Sequence, residues 1–405
     1  WDYWDSTRDM ILRDQVLNNN MLSWNEINTF GKSGIGNESV YNSGFAFSKY
    51  IASKYSNTSL SDIMKSLSSP FNFSVRKAMK EVLGKDGREV YTDYMNLISQ
   101  RYSALSPSSN LYDQNIKYID DNGTANLLPK WSDDGEKIAY LSNQNHDYFG
   151  STDLFIYNLK KDESHKIMDG VTSRPTWNGN TVIYSKRSIT PNKDGSRYFD
   201  LYEYDLFTKK ETRLTRDLRA FSPVFSKNDS AIYFLSTYDG TQNIFKINLS
   251  SSTSEKISNF SDHEIINNLT FDPLKNHLLF DMTVNHNKSI YFLSLADSTL
   301  GTYIDAASWD ARNAEVFDEG IVYSDDRTGI FNLFYIDDKK QGYISNTTGG
   351  AFMADYHNNG KLVYSHFQNG KFSIALMDSI KIYDNEQIGY ANDYYKKNES
   401  LAINI

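Results

Sequence analysis

The chain of 405 residues contains no cysteine, which excludes disulfides, Cys-ligated zinc, iron–sulfur clusters and thiol nucleophiles. No stretch approaches the 18 or more apolar residues that a membrane-spanning helix needs. Positive charge is in deficit: 42 Lys and Arg stand against 51 Asp and Glu, for a net charge of −9. Basic runs are missing too, which argues against nucleic acid as a partner, because phosphate binding needs clustered Lys and Arg. What the chain has in plenty is aromatic side chains, 29 Tyr and 23 Phe, so it is not a disordered chain. Its length fits two or three domains, or one repeat array with an appendage. It opens at Trp1 with neither an initiator Met nor a signal peptide, as expected of a fragment or a processed product.

A repeat organises the chain from about residue 115. An aromatic anchor followed by a turn recurs at Trp131, Trp177, Phe225, Phe271, Phe317 and Tyr356, in steps of 46, 48, 46, 46 and 39 residues. Each anchor precedes a second apolar run, then a third strand (DLFIY at 153–157, DLYEY at 200–204, NIFKI at 243–247) and in most units a short fourth one. Four short strands per unit, separated by Asp, Asn and Gly turns, cannot bury their own faces. Stacked radially they can, which predicts a six-bladed β-propeller. Two segments compete to complete the last blade, NIKYID (115–120) from the N-terminal side and SIKIYD (379–384) after the sixth copy. The spacing favours the former: Ile119 precedes Trp131 by 12 residues, as Ile344 precedes Tyr356.

The pattern carried most fully by PKWSDDGEKIAYLS and DLFIY resembles the TolB-type propeller repeat of bacterial envelope proteins, over roughly residues 115–384. Blades five and six depart from it, having lost the Pro and the Asp-Gly turn. The expected fold is thus mainly β, a TolB-like propeller at 115–384 behind a separate α-helical domain at 1–104 and a Ser/Pro-rich linker at 105–114, with a tail at 385–405. In the helical part, Phe47, Tyr50, Ile51 and Tyr55 fall on one helix face, as do Leu60, Ile63, Met64 and Leu67. A further helix is predicted over FSVRKAMKEVLG, capped by Ser74 and stopped by Gly84.

The stretch SVYNSGFAFSKYIASKY (39–55) resembles the C-terminal helical part of gluzincin zinc peptidases. That resemblance implies a role for Tyr41, which stands where the aminopeptidase branch has a Tyr that donates to the tetrahedral intermediate. The zinc motif is not in the chain: seven His include no HExxH, and the nearest approach, His263-Glu264-Ile265-Ile266-Asn267, has Asn in place of the second ligand. No cofactor is expected in this chain, and zinc only if a segment upstream of Trp1 supplies its ligands. At the propeller mouth the expected binding residues are Arg174, Arg219, His263, Asn268 and Arg312, arginines suited to clamping a carboxylate of a peptide terminus or acidic partner.

Three functions follow. The first is a bacterial cell-envelope protein, periplasmic or outer-membrane associated, whose propeller is a protein- or peptide-binding platform without complete catalytic machinery in this chain. The second is the C-terminal portion of a zinc metallopeptidase with Tyr41 in its site. The third is a structural module attached to an outer-membrane barrel.

Overall fold

The computed structural model describes residues 6–31, 35–70, 72–103, 116–191, 194–261, 264–284, 287–306, 309–317 and 319–383. The expected linker (105–114), the tail (385–405) and His263 lie outside them. Twenty-four strands form six four-stranded antiparallel sheets, the blades of a propeller. Blades one to five span 126–168, 176–213, 220–256, 265–304 and 311–343. Blade six takes three strands from 350–377, and its outermost strand is β1 (Ile116–Asp120) from the other end of the repeat region. β1 runs antiparallel to Lys371–Met377, with Ile116 opposite Met377 and Tyr118 opposite Ala375. The favoured latch is therefore the one that closes the ring. The rival segment instead runs along the outer strand of blade five, where the Tyr383 amide donates to the Tyr343 carbonyl (2.7 Å).

The second strand of each blade is sandwiched between neighbouring sheets, so it reads as a continuous apolar run rather than an alternating one. In blade one Ile138, Ala139, Tyr140 and Leu141 are all buried. Six clusters result, each shared by two adjacent blades; Leu141 and Leu154, for example, pack with Val182 and Tyr184, and Tyr140 packs with Val363 and Ile374. Blade five corrects one anchor. Its inner strand (Ala311–Phe317) sets Val316 opposite Ile321, the slot that Trp131 fills opposite Ile138 in blade one. The cause is a tighter hairpin, in which Phe317 pairs directly with Gly320. Gly320 allows it: a Cβ there would lie 2.2 Å from the Ile336 carbonyl oxygen.

The helical segment comprises α1 (Ser6–Leu17), α2 (Asn37–Lys54), α3 (Ser59–Leu67), α4 (Val75–Leu83) and α5 (Gly87–Ser103). None is long and apolar enough to cross a membrane among the described residues. Ser74 caps α4 by accepting from the Lys77 amide, and Gly84 ends it at φ 75°. α1, which no apolar stripe announces, docks onto the propeller. Met10 and Ile11 pack with Phe331, Phe352 and Phe367. Buried Arg13 pairs with Asp9 and donates to the carbonyls of Thr348 (2.7 Å) and Gly349 (3.1 Å). Asp14 accepts from the amides of Asn369 and Gly370, both at 2.7 Å.

β1 is also pinned by a buried imidazole. His366 lies 2.7 Å through Nδ1 from the Tyr118 hydroxyl and 2.7 Å through Nε2 from Thr347 Oγ1. Burial holds its pKa down to about 4. Between pH 6.5 and 4 the unfolded chain therefore takes up a proton that the folded one refuses, so acidification disfavours the fold by about 3 kcal/mol through this ring. Buried Asp281 and half-buried Asp326, pushed up to about 6, act in the opposite sense. The difference in unfolding free energy between the native chain and His366→Gln isolates the effect. It is expected to shift by about 3 kcal/mol against the native chain between pH 7 and 4; a flat difference refutes it.

Candidate functional site

In a four-stranded meander the 4→1 and 2→3 connections emerge at one end of the blade and the other two at the opposite end. The helical segment sits on the 4→1 face, where the innermost strands begin. In five blades that strand carries a β-bulge of two residues, the first of which has a left-handed backbone: Leu128 (φ 55°), Ser222 (49°), Asn268 (51°), Asn313 (59°) and Met353 (57°). Blade two differs: Arg174 occupies the equivalent place, before Pro175, without a left-handed backbone. These six residues line a cavity of about 410 Å³ at the mouth of the central channel, and Thr7 and Met10 of α1 cover it.

One step deeper, the channel is filled by charge. Lys130 of blade one lies 3.2 Å from Glu315 of blade five and 2.6 Å from Asp355 of blade six. Arg174 of blade two crosses the channel to the opposite blade, 2.9 Å from Glu315, and reaches Asp355 at 3.5 Å and the Ala354 carbonyl at 2.8 Å. Thr270 Oγ1 donates to Glu315 (3.3 Å), and the Trp131 amide donates to Asp355 (2.6 Å). Two cations thus meet two carboxylates out of water. Burial pushes the Glu315 carboxyl up, but Lys130 and Arg174 together outweigh it and leave it below its ordinary value. For Asp355 burial wins, helped by the charge of Glu315, and its carboxyl stays raised.

The site residues expected from sequence divide accordingly. Arg174, Asn268 and Arg312 are brought together around the mouth. The Arg174 guanidinium is taken up by the protein's own carboxylates. Asn268 donates to buried Asp281 (2.6 Å), and Arg312 pairs with Asp310 while lying over the Phe331 ring. Arg219 opens instead into an adjoining pocket of about 600 Å³ between blades two and three, together with Arg187 and Arg197. Tyr41 is inside α2, exposed, with its ring 5.3 Å from that of Phe30, on a cavity of about 710 Å³ shared with Tyr148 and Phe149 of blade one. Ile265, Ile266 and Asn267 of the near-motif are in a strand (Ile265–Asp272), where i and i+4 do not share the helical geometry that HExxH requires. Among the described residues no group of three or more His, Cys, Asp or Glu is placed to hold a metal.

Sequence reasoning passed over Lys130, Glu315 and Asp355. The signal was present for Lys130 and Asp355, each immediately before the aromatic anchor of its repeat, where a charge has to point into the channel; Glu315 was hidden because Val316, not Phe317, fills the anchor slot.

Comparison with known proteins finds no matching family model. Over 96 residues, 22% of this chain, the sequence is 38% identical to the Tol-Pal system protein TolB of Ruthia magnifica. Over 141 residues, 32% of this chain, it is 27% identical to dipeptidyl-peptidase 5 of Porphyromonas gingivalis. In both cases the match spans 20% of the relative's length. Among solved structures, TolB from Acinetobacter baumannii superposes with a TM-score of 0.42 at 12% identity, covering 73% of this chain and 72% of that one. A gluconolactonase from Xanthomonas campestris gives 0.48 at 14%, covering 69% and 93%. The assignment of six blades rests on the strand pairing itself.

Replacing Arg174 with Ala leaves two buried carboxylates facing Lys130 alone. The expected cost is about 3–5 kcal/mol in urea unfolding. A loss below about 1 kcal/mol would show that the network contributes nothing of this kind.

Proposed function

We propose that this chain is part of a bacterial envelope protein, periplasmic or at the outer membrane, whose propeller binds a polypeptide partner without itself performing chemistry. The observation that carries the reading is the division of the 4→1 face. Its blade five and six side is occupied by α1, and the channel below is sealed by Lys130, Arg174, Glu315 and Asp355. Along blades one to four, large apolar side chains stand out into solvent on the same face: Tyr148 (68% exposed), Ile189 (74%), Tyr238 (61%) and Ile265 (54%). A row of such residues beside loop charges fits a protein interface, in which aromatic anchors supply most of the binding energy. The net charge of −9 disfavours nucleic acid. The similarity to TolB over 96 residues supports the envelope assignment.

Site-specific photocrosslinking in the native bacterium tests this reading. A benzoylphenylalanine at position 148 or 238 is expected to give a discrete adduct with another envelope protein. The same probe at Phe207 or Leu274, exposed at the opposite end of the blades, is expected to give none. Adducts confined to the opposite end, or none at any position, would reject the platform.

A further inference from the structure

Many arginines of the described structure have an acidic partner: Arg13 has Asp9, Arg76 has Asp86, Arg213 has Asp200 and Arg327 has Asp325. This is what an excess of acid over base would produce. Among those that depart from the pattern, three converge. Arg187 ends the second strand of blade two (Thr181–Arg187), Arg197 lies just before the third (Phe199–Asp205), and Arg219 immediately precedes the inner strand of blade three (Ala220–Ser226). All three are exposed and line the pocket of about 600 Å³ described above. Among the described residues no carboxylate forms an ion pair with any of them.

Two of the guanidiniums are held by rings. Arg187 lies 5.1 Å from the Phe199 centroid and Arg219 4.4 Å from that of Tyr198. The Tyr198 hydroxyl in turn donates to Asp194 (3.1 Å), whose other oxygen accepts from the Ser196 amide (3.0 Å) and hydroxyl (2.5 Å). Asp194 therefore steadies the ring under Arg219. Stacking occupies the flat face of a guanidinium and leaves its N–H edge, the edge that matches a carboxylate in bidentate fashion. Arg219 also has a left-handed backbone (φ 50°), which a side chain of its type adopts uncommonly. Exposed Ile189 lines the neighbouring pocket, which shares Thr172, Arg187 and Phe199 with this one, and exposed Tyr238 directly follows Thr237 of the lining.

We infer that the Arg187–Arg197–Arg219 pocket binds a carboxylate presented by an extended acidic peptide segment, with Ile189 and Tyr238 receiving the apolar side chains beside it. This rests on the platform reading and names what the platform grips. A small inorganic anion would use the arginines and leave the apolar flank idle, and a nucleic acid would meet a chain whose net charge is −9.

The test is fluorescence anisotropy on the full chain with a labelled peptide Ac-FDEFDG and its uncharged counterpart Ac-FNQFNG. The acidic peptide is expected to bind at least about tenfold more tightly, with the gap narrowing as salt rises. Arg197→Ala and Arg219→Ala are each expected to weaken binding about tenfold, and Arg219→Lys to fall short of native affinity. These side chains are exposed, so an unchanged melting temperature separates lost binding from lost folding. Equal affinity for the two peptides, no binding of either, or full binding by the triple Ala variant would overturn the inference. Displacement by inorganic phosphate at lower concentration than by unlabelled acidic peptide would overturn it in favour of a phosphate site. If the peptide fails while crosslinking from position 148 persists, the pocket is wrong and the platform stands. If the peptide binds as expected but no position crosslinks, the pocket stands and the platform is wrong.

Discussion

Every blade buries both faces of its sheet against its neighbours, so stability runs around the circle and depends on the one seam where the circle is joined. At that seam β1 lies against Lys371–Met377, and the cluster containing Trp131, Tyr140, Val363 and Ile374 forms only when blades six and one are adjacent. Opening it exposes two sheet faces at once. Natural propellers face this problem because a radial array has no covalent closure of its own, and sheet edges left open invite wrong pairing. Here the seam is reinforced twice over, by the hydrogen bonds through His366 to Tyr118 and by α1 resting on the turn at Asn369 and Gly370.

The repeat was legible in the sequence because its signals are local: an aromatic, a turn, and an apolar run at a steady interval. The latch was legible for the same reason, since β1 keeps the spacing of a fourth strand. Two features escaped. Phe317 reads as the fifth anchor because it is aromatic, but a shortened hairpin moves Val316 into the slot and turns the Phe317 ring onto Tyr335 and Tyr356. α1 escaped because its sequence, STRDMILRDQVL, has no apolar stripe. Its charges are buried against backbone carbonyls and amides of the propeller, partners that no pattern within the helix can reveal.

The candidate site shows the same contrast. Arg174, Arg219 and Arg312 are alike in sequence, each at the start of a blade, yet their surroundings separate them. Arg174 is neutralised across the channel by residues more than a hundred positions away, and Arg312 by a neighbour two residues away. Of the three, only Arg219 faces open solvent with other arginines beside it. Arg187 and Arg197 bracket one hairpin of the preceding blade, so it is their meeting with Arg219 that is a product of the ring and not of any motif. The fold thus uses its buried charges to seal the axis and leaves its exposed ones at the edge of the free half of the face.

The docking of α1 has a bearing on how the chain is made. The groups that receive Arg13 and Asp14 lie some 335 to 356 positions further along. At ribosomal rates of about 5–20 residues per second, roughly a quarter of a minute to more than a minute separates the synthesis of the helix from that of its seat. Over that interval Arg13 and Asp14 lack the propeller groups that receive them, while Asp9 gains a partner sooner, the Tyr102 hydroxyl of α5. A helix without an apolar stripe is well suited to such a wait, since it offers little for premature association. The polarity that hid α1 from pattern reading is also what suits it to wait in water until the last blade arrives.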